Sequence, residues 1–137
     1  MTITEKREHF ENEMSKLENF LGLKINEPPR SEIETILQLQ TKTIRKLTSI
    51  ELAEYAFMLS QYALFLQHKY NEYQTFLQWC DHVRHIAQGD EVFKLKQWKQ
   101  TIELRATKLV FISKKVDDLS RSLNNLCLAR YKKGDNL

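Results

Sequence analysis

The sequence predicts an all-α protein: a long antiparallel helical hairpin, coiled-coil-like in its packing, with two shorter N-terminal helices. Three observations carry this. Apolar residues step in threes and fours through Leu52, Tyr55, Leu59, Tyr62, Leu66, Lys69, Tyr73, Phe76, Cys80, Val83 and Ala87. After Gly89-Asp90 the same beat resumes through Leu95, Trp98, Ile102, Arg105, Leu109, Ile112, Val116, Leu119, Leu123 and Leu126. A 3.5-residue period puts one apolar stripe on each helix, and a short turn between two such helices folds them back on each other. Third, 137 residues hold only three Gly and two Pro, so turns are few and elements long. The chain reads as one domain, with N-terminal helices in 1–47 and the hairpin in 48–133.

The first helix is expected from Thr4 to Leu21, burying Phe10, Met14, Leu17 and Leu21 and presenting Glu5, Glu8, Glu11, Glu13 and Glu18 elsewhere. Gly22 stops it and residues 22–30, with Pro28-Pro29, form a linker. The second helix opens at Ser31. Ser31-x-x-Glu34 reads as a capping box, in which each side chain satisfies a free backbone N–H of the first turn, and Ile33, Leu37, Gln40, Ile44 and Leu47 mark one face. Thr48-x-x-Glu51 repeats the capping signal and marks a turn before the third helix, Ser49 to Gln88. With Leu52 as heptad position a, Phe57 and Leu64 fall on f, and Met58, Phe65, Trp79 and Ile86 on g. That is more apolar surface than one partner helix hides, so the N-terminal helices or another copy of the chain must cover it. The fourth helix runs from Glu91 to Lys133, with acids in its first turn and bases in its last, as the helix dipole favours.

Charge is segregated. Residues 1–93 hold 10 Lys/Arg against 14 Asp/Glu, whereas 94–133 hold 11 against three, within a net charge of +3. Such segregation suits a polyanion partner or an acidic protein surface. No apolar leader opens the chain and no stretch is long enough to span a bilayer. The expectation is a cytoplasmic protein (host cytoplasm if viral) with no membrane partner. Cys80 and Cys127 read as buried small hydrophobes.

Lys94, Lys96, Lys99, Lys108, Lys114, Lys115 and Arg121 populate the fourth helix, and Lys94, Lys108 and Lys115 share position g. Cations that track a backbone, interleaved with Phe111 and Tyr131, have the chemistry of single-strand nucleic-acid binding. The competing reading is a solvated face that attracts acidic protein. Trp98 lies on the seam and reads as core. Lys69 and Arg105 interrupt the two seams at one level, as a buried polar layer or an anion site. Asp81-His82-x-x-His85 has metal-like helical spacing, but a polar outer face explains it without a metal. No nucleophile elbow, P-loop or Glu-x-x-His occurs, so neither an enzyme nor a cofactor is expected.

Residues 48–133, a long heptad hairpin with a basic second helix, resemble the phage recombination mediators typified by UvsY. Leu66-Gln67-His68-Lys69-Tyr70 is similar to a Leu-x-x-Lys-Tyr stretch of that family. The family's Tyr-Tyr-x-Gly has no counterpart; Ala87-Gln88-Gly89-Asp90 stands at the turn. The resemblance implies a homo-oligomer that binds single-stranded DNA and helps load a recombinase, with Lys69 on a matching position. The expected function is a non-enzymatic accessory protein on single-stranded nucleic acid, a recombination or replication mediator. The alternative is a structural or adaptor protein whose hairpin is a docking rod.

Overall fold

The computed structural model describes residues 1–22 and 25–134; Leu23, Lys24 and 135–137 lie outside it, and with them part of the expected 22–30 linker. The described residues form helices α1 (Ile3–Leu21), α2 (Arg30–Leu37), α3 (Thr41–Ile44), α4 (Ser49–Val83) and α5 (Asp90–Lys132), with no strand among them. Helices α4 and α5 pack closely as a helical hairpin. Among the described residues no helix is long and apolar enough to cross a membrane. The chain divides into two compact units: 1–26 with 72–106, and 27–71 with 107–137.

In the first unit, α1 and the turn-proximal parts of α4 and α5 enclose Ile3, Phe76, Cys80, Val83, Leu95 and Ile102. Thr2 caps α1 by accepting the Glu5 N–H at 3.1 Å, and Gly22 closes it at φ 67°. The expected apolar stripe of α1 is corrected here. Ile3 is its one fully buried residue, Phe10 and Met14 are half-buried, and Leu17 and Leu21 are exposed. Docking falls instead to Ile3, Arg7 and Phe10, one turn apart. The Arg7 guanidinium carbon lies 4.7 Å from the Phe76 ring centre and 4.6 Å from that of Trp98, and Phe10 stacks on Trp79 at 5.3 Å. Helix α4 ends at Val83, short of the expected Gln88, because Arg84–Ile86 tighten into turns before the corner. Gly89 takes φ 60°, a left-handed conformation that a β-carbon would strain.

In the second unit, α2, α3 and the far parts of α4 and α5 surround Ile33, Ile36, Leu52, Leu59, Leu66, Val116 and Leu123. The Thr48–Glu51 capping box forms reciprocally, with both bonds at 3.1 Å. The Ser31–Glu34 box does not form. Pro29 is the N-cap of α2, so Ser31 is already helical, and its carbonyl accepts from the Thr35 hydroxyl at 2.9 Å. The single helix expected across Ile33–Leu47 is broken at residues 38–40. A straight helix would carry Gln40 inward; the break brings Leu39 into the core and leaves Gln40 in water.

The seam of α5 also departs from expectation. Its buried residues are Leu95, Ile102, Val116 and Leu123 at a, joined by Ala106, Ser120 and Cys127 at e. The d residues Arg105 and Ile112 are exposed. Small e side chains let the α4 backbone approach closely. The Ser120 hydroxyl donates to the Ala56 carbonyl of α4 at 2.8 Å, and the Cys127 thiol to the Ser49 carbonyl at 3.4 Å. Arg130 anchors the open end, donating to the carbonyls of Leu47 and, at 2.6 Å, Arg45. These carbonyls follow α3 and lack helical partners.

Candidate nucleic-acid interface

In the second unit, Lys108, Phe111, Lys114 and Lys115 stand exposed on α5. They are kept out of the core because a and e are spent on the seam. Lys108, Phe111 and Lys115 are spaced 3 and 4, so they follow one face of the helix. The Lys115 ammonium lies 4.4 Å from the Phe111 ring centre, a cation–π contact that holds the charge beside the aromatic face. None of these lysines forms an ion pair among the described residues. Arg121, by contrast, is engaged by Asp117 at 3.0 Å. Tyr131 is exposed as well, one of the aromatic faces expected beside the cations.

The first unit contributes Lys94 and Lys96, both exposed and without an ion pair among the described residues. Lys99 is different. It reaches across the hairpin to Asp81 at 2.8 Å, and that hydrogen bond, followed by the carboxylate's charge, raises its pKa. Asp81 is thereby occupied by a cation while His82 and His85 point into solvent, so the metal-like spacing does not bring three ligands together. Trp98 is core, as its seam position implied, half-buried with Arg7 against its ring.

Lys69 and Arg105 do not make the expected buried layer. Lys69, in the second unit, is half-buried with its ammonium 6.0 Å from the Phe65 ring centre. Arg105, in the first, is exposed, because Ala106 takes the buried place beside it. Phe76 and Trp98 against Arg7 were not anticipated. Their signal was the position of Arg7, four residues after Ile3 and three before Phe10 on the stripe that docks.

Chemically, the arrangement offers ammonium groups available to phosphates and an aromatic face available to a base. It offers no nucleophile–base pair among the residues just described. No protein-family model matches this chain, and neither a curated protein nor a solved structure matches it significantly.

Proposed function

We propose that this chain is a non-enzymatic accessory protein that holds single-stranded nucleic acid along the basic edge of α5. The observation that carries the reading is the exposed Phe111 ring between Lys108 and Lys115, flanked by lysines with no internal carboxylate to neutralise them. A single strand presents phosphates and unstacked bases together. Ammonium groups release its counterions, and an aromatic ring stacks a base regardless of sequence. In the first unit Lys94 and Lys96 offer further unpaired charge, whereas Lys99 and Arg121 contribute less because Asp81 and Asp117 engage them. Sequence-independent holding of a strand is the task of a recombination or replication mediator, with specificity left to a protein partner such as a recombinase.

Fluorescence anisotropy of labelled oligo-dT tests this. Affinity should fall linearly in log–log terms with salt, at about −0.7 per phosphate contacted. Joint reversal of Lys94, Lys108 and Lys115 to Glu should weaken binding more than about tenfold at low salt, with the helical circular dichroism unchanged. Absence of binding at low salt would leave the adaptor reading, in which the same cations meet an acidic protein.

A further inference from the structure

The second unit leaves an apolar row of α4 exposed. On α4, Ile50, Phe57 and Leu64 repeat at heptad spacing on position f and are 51%, 63% and 57% exposed. Their neighbours Tyr55, Met58, Tyr62 and Phe65, at d and g, are drawn into the core with α2 and α3. The described residues of this unit supply no further segment for the f row. Beside it, between α4 and α5, opens a groove of about 490 Å³ lined by Leu66, Leu109, Ala63, Tyr70, Val110 and Ser113, with the polar Gln67, Lys114 and Asp117 completing it. Its origin is the small pair Ala63 and Ser113, whose side chains leave the space between the helices unfilled.

We infer that this face binds the same face of a second copy of the chain, across a two-fold axis, to form a four-helix bundle. Shape favours this occupant. The face holds unspent projections, Phe57 and Leu64, next to an unfilled hollow, so two copies supply each other's missing parts. An apolar cavity of about 150 Å³ holds a benzene ring, and the groove is large enough for a phenylalanine and a leucine side chain together. Area is adequate too. The stretch of α4 from Ile50 to Asn71 is about 30 Å long, and two helices side by side are about 20 Å wide, giving on the order of 600 Å². Two such faces together bury on the order of 1,200 Å², the lower end of the range of about 1,200–2,000 Å² in total for specific interfaces. Charge sets the orientation. Exposed Glu54 flanks the α4 row; the α5 side of the groove carries Lys114 and Asp117, and Arg121 engages Asp117 at 3.0 Å, so Lys114 is the charge left uncompensated there. Laying α4 of each copy on α5 of the other brings opposite signs together; α4 on α4 would face Glu54 with its own kind. Lys108, Phe111 and Lys115 are offset around α5 from this face and stay open to a strand.

Sedimentation equilibrium without nucleic acid, at tens of micromolar protein, reads the proposal directly. The expected mass is twice the 16.4 kDa of the chain. Phe57→Glu with Leu64→Glu, on side chains already in water, should return it to one chain with the circular dichroism unchanged. Ser113→Trp, which fills the groove, should do the same. Phe111→Glu should leave two chains associated while weakening oligo-dT binding, which separates this interface from the nucleic-acid edge. A wild-type mass other than two chains, or a two-chain mass that survives Phe57→Glu with Leu64→Glu, overturns the inference.

Discussion

Cys80 shares a core with Phe76, Val83 and Leu95, and burial raises its thiol from an ordinary value of 9.0 to about 11. Nearby Asp81 adds to the rise, and Arg7 and Lys99 oppose it. The native state therefore prefers the protonated thiol. That preference contributes fully below about pH 9 and is lost as pH climbs through about 11, since the unfolded chain releases its proton first. Urea midpoints measured across this window should fall more steeply for the wild type than for Cys80→Ala; parallel slopes would show that the thiol titrates freely. The same burial predicts slow modification of Cys80 by a thiol reagent at pH 8, because the thiolate is the reacting form. Both cysteines are free and buried, as their places beside the seams implied.

Helix ends provide a paired test among the elements. Thr48 and Glu51 exchange two backbone hydrogen bonds at the start of α4, whereas Ser31 lies inside the first turn of α2 with no cap to lose. Thr48→Ala should cost about 1 kcal/mol and Ser31→Ala only a few tenths, both read from chemical denaturation. Equal costs would show that Ser31 also caps. The two motifs are identical in pattern, and the N-cap at Pro29 separates their fates, by starting the helix two residues too early for Ser31. The heptads placed the corner at Gly89 and the hairpin's a residues. They did not reveal that α5 would turn its e row inward. Ala106, Ser113, Ser120 and Cys127 carry little hydrophobic signal, and their contribution is close backbone approach, seen only once Ser120 reaches the Ala56 carbonyl. Of the proposed nucleic-acid edge, the lysines were legible as charge. Which ones stay unpaired depended on Asp81 and Asp117, and proximity in space to the first of these is absent from a one-dimensional pattern.

For the molecule as a whole, α4 and α5 each run through both units, yet among the described residues the buried side chains collect into two separate cores, one of nine residues that include Ile33 and Ile36 of α2, the other of six that include Ile3 of α1. Helix α1 belongs to the smaller core, where its ring and core contacts lie in its first half: Ile3 fully buried, Arg7 against Phe76 and Trp98, and Phe10 on Trp79. Apolar packing that is tightest in the first half of one helix makes it a candidate for local opening, well below the free energy of global unfolding. Removing a buried isoleucine side chain costs about 2–5 kcal/mol, enough to exhaust a local stability of that size. Ile3→Ala should therefore speed amide hydrogen exchange throughout 3–21 by at least about tenfold, since each 1.4 kcal/mol of lost protection is a factor of ten. The amides around Leu59 and Leu123, in the larger core, should keep their wild-type rates, because no side chain that packs there is altered. Leu59→Ala supplies the opposite case: it removes a side chain with no solvent exposure from the larger core and should accelerate exchange there. If Ile3→Ala instead raised exchange equally in both cores, the two would be one cooperative body and α1 a full participant in it.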